Sequence, residues 1–378
     1  MKKSILILFI LLNSIYSITS AQTSVLKSEQ LAYITAEADD NLMIIDLKTE
    51  KTIATLKTGK IPHALVFDDN GKGYVNNRGS NILTVIDGNE FKVVNNIQLP
   101  ATSFQLAISP DKKILAVGYK DALMASFIDT ETDKLLISVP IGKEPVGTKI
   151  KRIKHPYWSK DGRFLYVGDN VNHTVVKING NTFNIVATIP VISTVHHFVS
   201  DKNGEKLYVT HEDNASISVI DMLTNKVLKN IPIPLIEGEI AKGHHGAFDN
   251  NGDYFFYCNE GGKTVAIIDT EKMKVVKTLQ AGIGAGHAYF TKDGKYAYII
   301  PHKDNIVTII DLAKQEITKN IVVGKGKKLG HSAYFTDDGN YLYVINSPDN
   351  TVAKIDLKQQ KVISTIPVGK KSLIMVVR

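Results

Sequence analysis

Along most of this chain apolar and polar residues alternate in short runs. The runs stop at pairs such as Asn70-Gly71, Asp161-Gly162 and Asp293-Gly294. Alternation of period two turns one face of an extended segment to a core and the other to water. The runs are rich in Val, Ile, Thr and Tyr, whose branched or aromatic side chains suit a pleated surface. The stop pairs are turn residues, because Gly accepts positive φ and an Asn or Asp side chain bonds nearby amides. Residues 283–325 read as four strands: His287 to Phe290, Tyr296 to Ile300, Ile306 to Ile310 and Glu316 to Val323. Turns at Lys292-Asp293-Gly294, His302 to Asn305 and Asp311 separate them.

This unit repeats. An apolar pair followed by Asp or Asn recurs at Asp46, Asp87, Asp129, Asn179, Asp221, Asp269, Asp311 and Asp356. A strand marker keeps the same register at Tyr33, Tyr74, Ala116, Tyr166, Tyr208, Phe256, Tyr298 and Tyr343. Four short antiparallel strands in a unit of this length are a blade of a β-propeller. The chain is expected to be all-β, with eight four-stranded blades, or seven if one unit is irregular. The unit from 101 to 143 is the least regular in pattern. First strands are expected near residues 63, 104, 155, 196, 244, 287 and 331. The missing one is expected from Ser372 to Val377, which closes the ring onto the blade that begins at Leu31 and removes its open edge.

Ser159-Lys160-Asp161-Gly162-Arg163-Phe164-Leu165-Tyr166-Val167 and Thr336-Asp337-Asp338-Gly339-Asn340-Tyr341-Leu342-Tyr343-Val344 resemble the YVTN-type β-propeller repeat. That resemblance covers nearly all of the chain after its first residues and implies the propeller fold, on which many functions occur. Eight blades, export and channel histidines are also similar to the haem d1-binding propeller of the cytochrome-type nitrite reductases. This second resemblance implies a haem-type cofactor.

Composition adds little to the fold: 43% of the 378 residues are hydrophobic and 22% are charged. The N-terminus adds a destination. Lys2 and Lys3, an apolar run from Ile5 to Leu12, and Thr19-Ser20-Ala21 read as a secretory signal peptide over 1–21, leaving 22–378 as one propeller domain. The expected location is the periplasm or the extracellular space, with no membrane span after cleavage and a monomeric chain. Cys258 is the single cysteine, so there is no internal disulfide and no Cys-x-x-Cys-His haem attachment. The formal charge is +7, but the lysines are scattered among acids. That is a solvated surface, and a nucleic-acid partner is not expected.

The histidines carry the chemistry. Counted back from the first-turn glycine or its equivalent, His63, His196, His244 and His331 stand eight residues before it. His155, His197, His245 and His287 stand seven before it. First strands line the channel of a propeller, so these residues converge on one mouth. Second strands return to that mouth, where His211 and His302 are read as equivalent, with Glu212 and Glu260 beside them. Extra residues at Gly142–Lys154 and Pro234–Gly243 fall on the same face.

Neutral imidazole is a good ligand for copper, zinc and haem iron. His196, His197, His244, His245, His287 and His331 are the expected metal ligands. His63, His155, His211 and His302 are the expected cofactor contacts. Three readings stay open: a copper, zinc or haem-type tetrapyrrole site, a ring of structural histidines multiplied by duplication, and a site for an anionic or small organic ligand. Three functions also stay open: a carrier or redox accessory protein working with another exported protein, a non-enzymatic scaffold for a protein or surface polymer, and a metal-assisted lactonase or lyase. No Ser-His-Asp spacing, phosphate loop or Gly-x-Ser-x-Gly supports covalent catalysis. Neighbours in an extended strand face opposite ways. Only one member of His196-His197 and of His244-His245 is therefore expected to face the channel, with the other between blades. His173 is expected on the surface, and the recurring Asp residues in turns.

Overall fold

The computed structural model describes residues 30–143 and 155–378. The expected leader over 1–21 and most of the Gly142–Lys154 insertion lie outside these residues. Among the described residues the strands form eight four-stranded antiparallel sheets. Seven sheets are consecutive in the chain, and their innermost strands begin at Pro62, Ser103, Tyr157, Val195, Gly243, Ala285 and Leu329. The eighth joins Ser372–Val377 to Leu31–Ala36, Asn41–Asp46 and Lys51–Lys57. We number the blades from this closing one. It is held by pairs such as Tyr33↔Val376 and Ile34↔Met375. The protein is an eight-bladed β-propeller. Among the described residues no helix is long and apolar enough to cross a membrane.

Burial follows the alternation of the sequence. The second strand of each blade is almost wholly buried, because neighbouring blades cover both of its faces. The outermost strands are mostly exposed, as in Lys134–Pro140. The marker tyrosines bolt one blade to the next. Tyr33 donates to Gly88 O at 2.6 Å, Tyr74 to Thr130 O at 2.9 Å, Tyr208 to Thr270 O at 3.3 Å and Tyr343 to Leu47 O at 3.3 Å. Each acceptor lies one residue past a recurring Asp. Those Asp residues cap their own turns, as Asp87 Oδ1 does for the amides of Asn89 and Glu90. Cys258 is buried in the core, and His173 is exposed.

The irregular unit is not where the pattern placed it. Residues 103–140 form a regular blade 3. Its marker position holds Ala116, and Phe127 and Trp158 pack in the same cluster with rings 6.1 Å apart, filling the missing tyrosine's volume. The short strand is instead Tyr157–Trp158, the innermost of blade 4.

Closure by Ser372–Val377 makes a direct test. A chain ending at Lys371 leaves Leu31–Ala36 unpaired on one edge and is expected to melt lower by about 10 °C or more. Differential scanning calorimetry reads this, and a change under about 3 °C would mean that blade 1 holds without its inner strand.

Candidate functional site

Each full-length innermost strand enters its blade through a β-bulge. In blade 5 the register steps between Val195↔His211 and His197↔Thr210. In blade 6 it steps between Gly243↔Asn259 and Gly246↔Tyr257, so His244 and His245 both lie in the unpaired stretch. Blades 7 and 8 step after Ala285 and Leu329. A bulge inserts unpaired residues and breaks the up-down alternation. Both members of each histidine pair therefore reach the same site, contrary to the one-in, one-out expectation. His196 and His197 stand 5.5 and 5.3 Å from the His155 ring, and His244 and His245 stand 5.1 and 4.1 Å from the His287 ring.

Nine imidazoles form one continuous group at the mouth. Rings of His197 and His245 stack at 3.9 Å, His196 lies 4.3 Å from His244, and His302 stacks on His331 at 4.3 Å. His63 joins through His331 at 5.7 Å. Within the group are two triads: His155, His196 and His245, and His244, His287 and His302. In each, the three ligand nitrogens lie within 4.8 Å of one another. A Cβ on Gly286 would collide with the His302 ring, so blade 7 carries glycine where other blades carry the first histidine.

His211 is not part of this group. Its Nδ1 bonds Ser193 O at 3.1 Å and its Nε2 bonds Ser218 Oγ at 2.8 Å. It stands three residues after its marker Tyr208, whereas His302 stands four after Tyr298. A shift of one residue in a strand reverses the face. The position equivalent to His302 holds Glu37, Arg78, Glu212 and Glu260 in other blades, and Glu37 and Arg78 are neighbours of the mouth imidazoles that the histidine count passed over. The spacing from the tyrosine marker is the signal that finds them.

These charged groups tune the imidazoles. Glu37 Oε1 accepts from His63 Nδ1 at 2.7 Å, and Lys371 Nζ sits 2.9 Å from Glu37 Oε2. Burial alone would raise the Glu37 pKa, but the hydrogen bonds from His63 and Lys371 hold it down to about 2. The bond fixes the His63 tautomer and leaves Nε2 bare, as a carboxylate does behind a metal-binding histidine. His244 Nδ1 donates to Gly286 O at 3.1 Å in the same manner. Burial, then the Arg78 charge, pushes His63 down to about 3 and His331 to about 4. Burial lowers His197 to about 4. Burial, then neighbouring imidazoles, holds His244, His245, His287 and His302 well below the usual range. All seven are neutral at pH 7. Buried ring nitrogens on His63, His197, His287 and His302 have no hydrogen-bond partner. Six of these imidazoles, with Arg78, Phe104, Glu212, Lys242 and Glu260, line a cavity of about 510 Å³, where Lys242 and Glu260 pair at 2.9 Å.

A family model described as "Cytochrome D1 heme domain" matches residues 120–287 and 250–329, together more than half of the chain. The chain is 37% identical over 79 residues to a 6-phosphogluconolactonase of Blochmanniella pennsylvanica, covering 20% of this chain and 23% of that protein. It is 26% identical over 162 residues to NHL repeat-containing protein 2 of Homo sapiens, covering 38% and 22%. The matched segments thus span under a quarter of either relative's length. Among solved structures, dihydro-heme d1 dehydrogenase NirN in complex with DHE superposes with a TM-score of 0.79 at 18% identity, covering 92% of this chain and 75% of that one. This likeness shows the shared propeller fold.

The depressed imidazoles set a pH dependence. In the unfolded chain they titrate near 6.5; in the folded chain His197 and His331 titrate at about 4 and His63 at about 3, and burial holds the others well below their usual range. Below pH 6.5 the unfolded state therefore binds more protons, and stability falls with falling pH. Each such histidine contributes a slope of about 1.4 kcal/mol per pH unit across that window. The Tm of metal-free protein is expected to drop steeply between pH 6.5 and 4. A flat profile there would mean that the mouth histidines are solvated.

Proposed function

The chain belongs to the family described as cytochrome D1 heme domain, and we propose that this member binds transition-metal ions, zinc or copper, directly through the mouth histidines and acts as a carrier. The observation that carries this reading is the pair of triads, each bringing three imidazole nitrogens within 4.8 Å. Zinc and copper sites take three or four such nitrogens at roughly 2 Å, with a remaining position for water or a partner's ligand. The neutral state of the imidazoles supports it, since a protonated ring cannot ligate. So do the partnerless buried nitrogens. A structural ring or a scaffold would spend its buried nitrogens on hydrogen bonds, as His211 does.

A haem-type tetrapyrrole fits less well. One iron takes at most two axial imidazoles, and rings packed 3.9–6.2 Å apart leave no space between them for a macrocycle. Of the cations at the cavity, Lys242 is already paired with Glu260, and Arg78 is held by Phe104. The family match is the observation that favours a tetrapyrrole, and the 510 Å³ cavity lined by six of the imidazoles is where one would lie. With residues 1–21 as a leader, the proposal places the carrier outside the cytoplasm. Its partner would be another exported protein that supplies or accepts the ion.

Metal-free mature chain titrated with zinc and with copper is expected to take up two ions, read by native mass spectrometry and calorimetry. Replacing His155 and His245 by Ala should remove one ion, and replacing His287 and His302 should remove the other. Each double change should weaken its site by at least about 100-fold. Uptake of a tetrapyrrole with a strong visible band, and no tight uptake of bare ions, would favour the second reading. Uptake of neither would sink both.

A further inference from the structure

The face opposite the histidines carries a second device, independent of any metal. In blade 8, Lys354 pairs with Tyr343 across the ladder and lies over the Tyr341 ring at 4.4 Å. Its Nζ reaches Glu50 Oε1 of blade 1 at 2.8 Å, leaving Leu47 O free to accept from Tyr343. Blade 4 repeats the arrangement. Lys177 pairs with Tyr166 and lies over the Phe164 ring at 4.0 Å. The residue equivalent to Glu50, four past the turn aspartate, is here Asn225.

The loss of that carboxylate has two effects. Lys177 Nζ bonds Asn225 Oδ1 at 3.0 Å and takes Met222 O at 2.7 Å, the carbonyl that corresponds to Leu47 O. The Tyr166 hydroxyl, displaced from that acceptor, is buried without a hydrogen-bond partner. Lys177 is only 5% exposed and faces no carboxylate in its own bonds. Burial lowers its pKa, whereas Lys354, also desolvated, is held up by Glu50. A buried ammonium whose acceptors carry no charge and a buried hydroxyl with no acceptor are both unfavourable.

Both groups line a cleft of about 750 Å³ between blades 4 and 5. Three acids line it: Asp161 is engaged with Arg163 at 2.6 Å and Asp221 with the amides of Leu223 and Thr224, while Glu205 stands on the blade 5 side among Lys160, Arg163 and Lys206. Val186, Met222 and Leu223 give it an apolar side, with Leu223 88% exposed. We propose that this cleft binds a small amphipathic oxyanion, a carboxylate or phosphate monoester on an apolar body. Its head accepts hydrogen bonds from Lys177 and Tyr166, and its body covers Val186 and Leu223.

The test uses the mature chain with benzoate and phenyl phosphate as probes and neutral benzamide as the control, read by calorimetry and thermal shift. Saturable binding of either anion with none of benzamide supports the proposal, and the tighter anion assigns the head group. Asn225→Glu rebuilds the blade 8 pair and is expected to weaken binding at least tenfold while keeping or raising Tm. Tyr166→Phe is expected to weaken it severalfold. No saturable anion binding by the unaltered chain, or equal binding by both variants, overturns the proposal.

Discussion

The mouth of this propeller depends on a backbone irregularity repeated around its axis. An innermost strand that paired in perfect alternation would send every second side chain between blades. The bulges at Val195, Gly243, Ala285 and Leu329 interrupt pairing for one or more residues where the strand leaves the channel. Pairing resumes at once, so the deviation is held between fixed ladders and does not fray. Neighbouring residues then reach one site, and two adjacent blades supply four imidazoles. The density of nitrogen follows from this step in register as much as from the number of histidines.

That density has an electrostatic consequence. Imidazoles packed within 6 Å of one another cannot share space as cations, and burial removes the water that would screen them. They stay neutral, and several keep a bare nitrogen in a dry setting, at a cost of about 1–3 kcal/mol for each group left unsatisfied. The scaffold holds this arrangement because its blades are bolted elsewhere, by the marker tyrosines and the buried second strands. Rigid placement by surrounding structure distinguishes a site prepared for a ligand from histidines on a mobile loop.

Most of the fold was legible because a repeat presents the same physical problem eight times. Turn aspartates and marker tyrosines kept register, and the closing strand Ser372–Val377 followed from counting the blades. The site was legible in outline only. Strict alternation hid the bulges, since an unpaired residue leaves no mark in a hydrophobic pattern, and so His196-His197 was expected to split. His211 and His302 differ by one residue in register, and in a strand that is the difference between a satisfied core histidine and a member of the mouth group. Glu37 and Arg78 escaped notice because a single acid or base in one repeat looks like ordinary surface until its neighbours are known. In blade 3, volume was conserved across positions and not at one: Ala116 is answered by Phe127 and Trp158.

Closure through Tyr33↔Val376 pairs residues from opposite ends of the described chain. Contacts of such separation form late, because loop-closure entropy must be overcome before they stabilise anything. The mouth is assembled from strands of nearly every blade, so it exists only once the ring is shut. A chain still being made offers its histidines as scattered, flexible bases, one blade at a time. Only the finished ring presents them as a set. The order of folding thus separates synthesis from the assembly of the mouth, which exists only in the completed vessel.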